Sequence, residues 1–427
     1  MNKFKIILIL IIFTVKIYSY DTIAVRTIGS GVVYYHIKTE EPNNIYILQA
    51  DLKENNNIKL AIANERIGNT GATVNEMSKA LSKNTFVLAG VNADFFGGSP
   101  YQFENSMIMD GQFVKAVNIG RSLIAFTEQK NIIIDTIKFN GYIKVGNSEL
   151  KINSINSDNL SDKVKLYNRF YNLKTKIDDN KVGLLIKSID KLKLNIKQKF
   201  VVNSIFNKNI PKFLFSDRYL AILPKEVIKL NNVTINDTVE IFLSTIPIVE
   251  NINQMIGGLP KILNKGEVIN NFAYIEGINN EGFFGKNPRT AIGFNKEQNK
   301  LYIVAIDGRD KNNSVGFTLP ELSKFMKELG CYDALNFDGG GSTTMVIRDS
   351  TVNKPSDYTG ERKVNNALFL SINYLSPEFI RNINVYSDKH ILNLNEKTQI
   401  NISCTDIWGF TGNFPINLIN FEFDNET

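Results

Sequence analysis

The first half of the chain is patterned mainly as β-strands. Between Tyr34 and Ala63, apolar and polar residues alternate in runs such as NIYILQADL and IKLAIAN, and this period of two is typical of strands with one buried face. Residues 71–82 predict a short helix. The run FVLAGVNADFF (Phe86 to Phe96) then predicts a fully buried strand that ends in polar residues. More strands are expected up to about residue 250, and the pattern is least regular at residues 151–212.

The pattern is clearest between residues 289 and 347. LYIVAID (Leu301 to Asp307) predicts a buried strand, and TLPELSKFMKELG predicts a helix with Thr318 as N-cap and Glu321 closing a capping box. ALNF predicts a second buried strand. A strand–helix–strand order is typical of a βαβ unit, whose parallel strands end at the same edge of the sheet. We therefore predict an α/β (α+β) fold with mixed sheets, in which this unit carries the functional site.

Polar side chains stand at the ends of three predicted strands. Asp307 ends one strand and Asp338 ends the next, and Asn336 shares a strand face with Asp338. Asn92 and Asp94 repeat this arrangement at the end of a third apolar run. Such residues are also ordinary turn formers. Three endings of this kind together favour a site with converging carboxylates.

A glycine triplet follows the last of these strands. Gly339, Gly340 and Gly341 precede Ser342 and Thr343. A glycine-rich turn can offer its backbone N–H groups to an anion, and the two hydroxyl groups would add donors. The lysine of a Walker A loop is absent. The triplet therefore predicts close approach of a phosphate or sugar, with a tight turn between crossing strands as the alternative.

Two arginines strengthen the anion hypothesis. Arg289 lies in NPRTAIGF, just before an apolar run, and Arg309 follows Asp307 after one glycine. The planar guanidinium group binds phosphate in a bidentate manner that Lys does not reproduce. We expect Arg309 in particular to face the ligand.

Composition excludes some classes of function. The net charge of +6 comes mainly from scattered Lys, which disfavours a nucleic-acid surface. The two cysteines, Cys331 and Cys404, are interpreted as separate thiols. With only two histidines, His36 and His390, they are too few for a usual zinc site.

The N-terminal segment predicts export. Lys3 and Lys5 precede the apolar run Ile6 to Val15, and a polar stretch with Ser19 follows. About ten apolar residues are too few for a membrane span, which needs about twenty. We interpret residues 1–19 as a signal peptide of a secreted, periplasmic or surface protein without a membrane span after its removal. A retained anchor is the alternative.

The composition changes again after Pro377, where short alternating strands are predicted. About fifty residues are too few for an immunoglobulin-like sandwich of about 100. We therefore predict a main domain at 20–376 and a small, incomplete Ig-like β module at 377–427.

From roughly residue 30 to 373, the chain resembles the phosphodiester glycosidases. The resemblance lies in the ordered blocks GVNADFF, GGLPKILNKGEV, PRTAIGF, IDGR, GFTLPELSKFMKELGCYDALNFDGGGSTTM and VNNALFL. It implies hydrolysis of a sugar-1-phosphodiester to a free sugar and a phosphate monoester. Glycosidic cleavage commonly uses a pair of carboxylates. Asp338 and Asp307 are the first candidates for base or nucleophile, followed by Asp94 and Glu281.

The remaining roles follow from the same expected reaction. Phosphate is a good leaving group, so Arg289, Arg309 and the glycine turn would stabilise its charge. Phe95, Phe96, Phe283 and Phe284 are candidates for stacking on a sugar or for the core. The spacing of the Asp residues requires no metal, although a divalent cation remains open. Two alternatives also remain open: a non-catalytic phosphoglycan-binding surface protein, and a phosphodiesterase acting on exported phosphoglycan.

Overall fold

The computed structural model describes residues 20–413 except 54–56, 65, 66, 68, 84, 98–101, 158–162, 173–176, 189–191, 209, 211–217, 272–275, 279, 280, 373–379, 390, 394, 395 and 408–410. The described chain is mostly β-sheet. The α/β expectation therefore overstated the share of helix. The reason lies in the first half, where alternating runs build antiparallel sheets without crossover helices.

The described strands and helices are numbered in chain order. The first strands are Tyr20–Gly29 (β1), Val32–Thr39 (β2), Asn44–Asp51 (β3), Ile58–Asn64 (β4), Phe86–Asn92 (β5), Phe96–Gly97 (β6), Gln102–Phe103 (β7), Met107–Met109 (β8), Gln112–Lys115 (β9), Ser122–Thr127 (β10), Ile132–Thr136 (β11), Lys138–Val145 (β12), Ser148–Lys151 (β13), Ser154–Ile155 (β14), Lys165–Tyr167 (β15) and Lys181–Lys187 (β16). The others are Gln198–Phe206 (β17), Arg218–Pro224 (β18), Thr238–Ile246 (β19), Ile252–Gly257 (β20), Lys261–Asn264 (β21), Glu267–Val268 (β22), Arg289–Phe294 (β23), Lys300–Ile306 (β24), Asp333–Asn336 (β25), Met345–Ile347 (β26), Ser350–Thr351 (β27), Asn366–Ile372 (β28), Ile380–Ser387 (β29), Ile400–Asp406 (β30) and Thr411–Asn413 (β31). The helices are Val74–Leu81 (α1), Lys225–Leu230 (α2), Glu281–Phe284 (α3) and Leu319–Glu328 (α4).

The strands that carry Asp307 and Asp338 lie in one eight-stranded sheet of order β1-β2-β3-β24-β23-β25-β21-β22. Helix α4 connects β24 to β25, and its capping box of Thr318 and Glu321 is present. Both strands pair antiparallel with β23, which lies between them. They therefore run in the same direction, as in a βαβ unit, but no hydrogen-bond ladder joins them directly.

A five-stranded sheet of order β27-β26-β5-β28-β4 shares a hydrophobic core with the first sheet. Leu48 and Ile303 contribute to this core from the eight-stranded sheet, and Leu88 and Leu368 contribute from the five-stranded one. This packing brings the C-terminal end of β5, with its Asn92, against the end of β25.

The described strands of the irregular region 151–212 belong to a second eight-stranded sheet of order β13-β12-β19-β17-β16-β18-β15-β14. This sheet has its own apolar cluster, which includes Leu184, Phe200 and Ile241. Its pairs are antiparallel apart from the short parallel pair β14–β15. Other side chains of this sheet, among them Leu185 and Leu220, belong instead to the core shared by the first two sheets.

The strands β29, β30 and β31 form a three-stranded sheet. It is attached to the rest of the chain by a buried ion pair between Arg348 and Asp406, at 3.2 Å. The Cys404 thiol lies in the same core as β5, and it forms no disulfide with Cys331. The proposed boundary at 376/377 and the Ig-like nature of this module stay predictions. Among the described residues, no helix is long and apolar enough to cross a membrane.

Candidate active site

The ends of β5 and β25 meet at Asp338. The Asp338 N–H donates to the Ala93 carbonyl at 2.8 Å. The Asn92 amide donates to the Asp338 carbonyl at 2.6 Å, and its oxygen accepts from the Thr344 N–H at 3.1 Å and the Thr290 hydroxyl at 2.9 Å. Asn92 therefore joins three segments around Asp338. Its amide is committed to the protein rather than directed at a ligand.

The Asp338 carboxyl group is partly exposed at this junction. Its Oδ1 accepts from the Gly339 N–H at 2.9 Å. Burial raises the pKa of Asp338 to about 6, while the Ser342 hydroxyl, the Gly339 N–H and the charges of Arg362 and Arg309 act in the opposite direction. The Ser342 hydroxyl lies close to the carboxylate but lacks the geometry of a full hydrogen bond. A carboxyl group with this pKa changes charge near neutral pH, as an acid–base catalyst requires.

The glycine triplet forms a 3₁₀ turn over residues 340–342, directly after Asp338. Gly340 has φ +60°, in the region that favours glycine. A Cβ at each of the three positions would collide with a neighbouring group. These groups are the Pro288 carbonyl at Gly339, the Arg309 guanidinium at Gly340 and the Arg362 guanidinium at Gly341. The Pro288 carbonyl at Gly339 and the positive φ at Gly340 favour glycine at these two positions, whereas at Gly341 the Arg362 side chain would have to move.

The backbone of this turn is largely occupied by the protein itself. The Gly340 N–H donates to the Pro288 carbonyl at 2.9 Å. The Ser342 and Thr343 N–H groups donate back to Gly339 and Gly340 at 3.2 and 3.3 Å. These N–H groups and that of Gly339 are unavailable to an anion in this conformation. Backbone contact with an anion is therefore disfavoured at these four N–H groups, and such a contact at the Gly341 N–H stays a prediction.

Arg309 and Arg362 supply positive charge over the turn. Arg309 is exposed, has φ +66°, and donates from Nη2 to the Asn287 side-chain oxygen at 3.2 Å. A non-glycine residue in this backbone region is uncommon and is often found at functional sites. Arg362 donates from Nε to Asp357 Oδ2 at 2.7 Å, which orients its guanidinium group. Arg309 lies against Gly340 and Arg362 against Gly341, and the charges of both influence Asp338, so the two guanidinium groups form the candidate anion site.

Arg362 did not stand out in the sequence. It lies in ERKVNNALFL, a stretch without a recognisable anion-binding pattern. Its role comes from the strand β28 that follows it, because β28 pairs with β5 and so brings the preceding loop over the glycine turn.

Asp307 occupies a very different environment. Its side chain is buried and accepts from the Tyr46 hydroxyl at 3.0 Å, the Asn353 amide at 3.0 Å, and the Lys354 N–H at 3.1 Å to both oxygens. Burial raises its pKa, and these hydrogen bonds lower it. The Asn353 amide also donates to the Thr343 carbonyl at 3.1 Å. Asp307 therefore supports the loop beyond the glycine turn and is poorly placed to act as a nucleophile.

Asp94 is also buried and hydrogen-bonded. The Asn105 backbone N–H and side-chain amide donate to its two oxygens at 3.0 and 2.6 Å. Burial raises the pKa of Asp94 to about 6. Asp94 follows Ala93, which contacts Asp338, so its carboxyl group belongs to the same region. Its partners favour a supporting role.

Arg289 is buried and bound to backbone carbonyl groups. Its guanidinium group donates to the carbonyl groups of Phe317, Phe283 and Gly285, each at 2.8 Å, and lies over the Phe283 ring. Desolvation lowers its pKa to about 10. These three bonds favour a structural role for Arg289, and its contact with phosphate stays a prediction.

The other candidate residues differ in how deeply they are buried. The Asn336 amide donates to the Leu259 carbonyl at 2.5 Å inside the fold, and the buried Thr343 hydroxyl accepts from Thr290 at 3.4 Å. Phe95 and Phe283 are half-buried, with ring centroids 5.7 Å apart, and remain candidates for a sugar platform. The side chain of Glu281 lies outside the described residues.

In the described part of the chain, no group of three or more His, Cys, Asp or Glu side chains is arranged to bind a metal ion. A divalent cation therefore stays an untested alternative.

Comparison with known proteins supports the family resemblance. Residues 202–371 match the phosphodiester glycosidase family model, and this span contains Asp307, Arg309, Asp338 and Arg362. The resemblance to the phosphodiester glycosidases is confirmed. The matched span begins well after residue 30, so it covers less of the chain than the sequence blocks suggested.

Individual relatives support the family and the fold separately. A mouse (Mus musculus) N-acetylglucosamine-1-phosphodiester alpha-N-acetylglucosaminidase is 30% identical over 113 residues, which is 25% of this chain and 21% of that protein. The chain thus spans about a fifth of that relative's length. Solved structures of a Synechocystis protein and a Burkholderia pseudomallei protein share the fold, each with a TM-score of 0.63, at 17% and 16% identity. The alignment with the Synechocystis protein covers 80% of this chain and 62% of that protein. The alignment with the Burkholderia pseudomallei protein covers 83% of this chain and 97% of that protein.

Proposed function

We propose that this protein hydrolyses the sugar–phosphate bond of a sugar-1-phosphodiester and releases the free sugar and a phosphate monoester. The observation that carries the proposal is the position of Asp338 beside two arginines over one glycine turn. This arrangement supplies a carboxylate for the sugar carbon and positive charge for the phosphate. The family match over the same residues supports the reaction type.

In this mechanism Asp338 acts in its ionised form. As a nucleophile it would form an ester bond to C1 of the sugar as the phosphate leaves, and water would then break that ester; as a base it would activate water for direct attack at C1. The bond between C1 and the phosphate oxygen breaks, and its electron pair stays on the phosphate. Arg309 and Arg362 stabilise the charge that develops on this leaving group. The oxygen of water ends on the sugar, and its protons are released to the sugar hydroxyl and to the medium.

An isotope experiment separates this reaction from its alternatives. The protein is incubated in oxygen-18 water with the methyl phosphodiester of N-acetylglucosamine 1-phosphate, and the products are analysed by mass spectrometry. We expect the label in the sugar hydroxyl. Label in the phosphate would instead indicate a phosphodiesterase. Binding without turnover, across a panel of sugar-1-phosphodiesters, would favour a phosphoglycan-binding protein.

We also propose that the reaction takes place outside the cytoplasm. The support is the order of Lys, apolar and polar residues in segment 1–19, which lies outside the described residues. Intact-mass measurement of the secreted protein tests this, because removal of the segment would leave a new N-terminus near residue 20. A secreted protein that still begins at Met1 would contradict it.

A further inference from the structure

The two arginines of the candidate anion site have partners of different charge. Arg362 donates from Nε to Asp357 Oδ2 at 2.7 Å, and 15% of the Asp357 side chain is exposed. This hydrogen bond lowers the pKa of Asp357, so its carboxyl group is ionised at neutral pH. Arg309 instead donates from Nη2 to the neutral side-chain oxygen of Asn287 at 3.2 Å. One of the two positive charges is therefore opposed by a carboxylate in direct contact.

Asp357 also lies close to the other arginine. It lines a cavity of about 380 Å³ together with Arg309, while its partner Arg362 lies against Gly341 of the glycine turn. The remaining charged residues of the cavity wall include two of each sign, so their formal charges cancel. They are Asp307, Asp310, Lys311 and Lys354. The charge next to the glycine turn is therefore determined mainly by the two arginines and Asp357.

The charge of this group matches one form of phosphate. Two guanidinium groups and one carboxylate leave a single net positive charge, and a phosphodiester carries a single negative charge. A phosphate monoester carries nearly two negative charges at neutral pH, because its second pKa is about 6. We infer that Asp357 is a specificity-determining residue that favours a phosphodiester over a phosphate monoester at Arg309 and Arg362. This inference rests on the proposed function.

The same preference assists release of the product. The proposed reaction converts a phosphodiester into a phosphate monoester, so the product carries one more negative charge than the substrate. Two arginines without a counter-ion would bind that product more tightly than the substrate, because the added charge is attracted to both guanidinium groups. The Asp357 carboxylate repels the added charge and so limits inhibition by the product.

The test uses two ligands that share a sugar and differ by one charge, N-acetylglucosamine 1-phosphate and its methyl phosphodiester. Calorimetric titration at pH 8 and low salt gives the Kd of each ligand for Asp338→Asn and for the double variant Asp338→Asn, Asp357→Asn. The new amide at position 357 can still accept from Arg362 but carries no charge. The double variant should shift the ratio of the two Kd values about three- to tenfold in favour of the monoester.

Two control variants, made in the Asp338→Asn background, separate the charge at position 357 from other causes. Asp357→Glu keeps the carboxylate and should keep the ratio of the parent variant. Asp178→Asn removes a remote carboxylate, which pairs with Lys181 of β16 at 3.6 Å, and should also leave the ratio unchanged. A shift in Asp357→Glu as large as that in Asp357→Asn would overturn the inference, because charge would then not be the cause.

The other outcomes also decide the inference. An unchanged ratio in the double variant overturns it, and so does an equal loss of affinity for both ligands, since that would indicate a structural role of Asp357. If neither ligand binds Asp338→Asn, the anion site lies elsewhere and the inference fails with it. If the ratio shifts but the oxygen-18 experiment shows no hydrolysis, the inference stands and the proposed function fails. If hydrolysis occurs without a shift, only the inference fails.

Discussion

Asp338 and Asp307 end two strands that run in the same direction on either side of β23, yet their surroundings differ. Asp307 accepts from a tyrosine, an asparagine amide and a backbone N–H, and so has little capacity left. Asp338 accepts from one backbone N–H and lies near two arginines. The number of hydrogen-bond donors around a carboxylate at a strand end therefore distinguishes a structural Asp from a reactive one.

The largest expected effect is that of Asp338→Asn. The substitution keeps the volume of the side chain but removes the base or nucleophile, so kcat should fall about a hundred- to ten-thousandfold. The affinity for a sugar-1-phosphodiester should change little, and the melting temperature at neutral pH should not fall, because the amide avoids burial of a charge. Turnover, calorimetric binding and thermal unfolding measure these three quantities. A rate near that of the natural protein would remove Asp338 from the chemistry.

The next effect concerns Arg362, the residue that the sequence did not reveal. Arg362→Lys keeps the charge but loses the planar pair of donors, and a charged hydrogen bond contributes about 1.5–3 kcal/mol. We expect kcat/KM to fall roughly ten- to a hundredfold. The matched control is Arg381→Lys, at an exposed position on β29, which should leave kcat/KM unchanged. An unchanged kcat/KM in Arg362→Lys would place the anion site elsewhere.

The pH dependence should follow Asp338. Because its pKa is raised to about 6, protonation below that pH removes the ionised form, and kcat/KM should fall about tenfold per pH unit. Between about pH 4 and 6 the folded state binds this proton more tightly than the unfolded chain does. The contribution of Asp338 to the free energy of unfolding therefore declines as pH rises through this window. Measurement of kcat/KM from pH 4 to 8 tests the expected fall in rate below pH 6. A flat profile would contradict the role of Asp338 as base or nucleophile.

Local features of the site could be predicted from the sequence, while its long-range partners could not. The capping box at Thr318 and the polar strand ends depend on residues near one another in the chain, and both are found. The insertion of β23 between β24 and β25 depends on sheet pairing across the fold, which no local pattern encodes. The same holds for the donors to Asp307, because Tyr46 is distant in sequence.

Distant partners also explain why Arg289 and Arg309 occupy different environments. Both are arginines next to a strand in a family-like block. Arg289 is buried among the Phe317, Phe283 and Gly285 carbonyl groups, whereas Arg309 lies exposed over Gly340. Sequence identifies the residue type, and tertiary packing decides which arginine remains available to a ligand.

Asp307→Asn should have the smallest effect on rate. It also gives the sharpest test of the difference between Asp307 and Asp338. The substitution replaces one carboxylate oxygen by an NH₂ group, which donates instead of accepting. This group would face the Lys354 N–H, the Asn353 amide or the Tyr46 hydroxyl, all of which are donors. A buried mismatch of this kind costs about 1–3 kcal/mol of folding free energy. We therefore expect a lower urea midpoint and melting temperature, with kcat on the folded enzyme within a few-fold of the natural protein. The rate should be measured below the melting temperature, so that loss of folded protein is not mistaken for loss of chemistry. If Asp307→Asn instead keeps its stability and loses its rate as Asp338→Asn does, the two carboxylates act together as a catalytic pair and the hydrogen-bond criterion fails for this site.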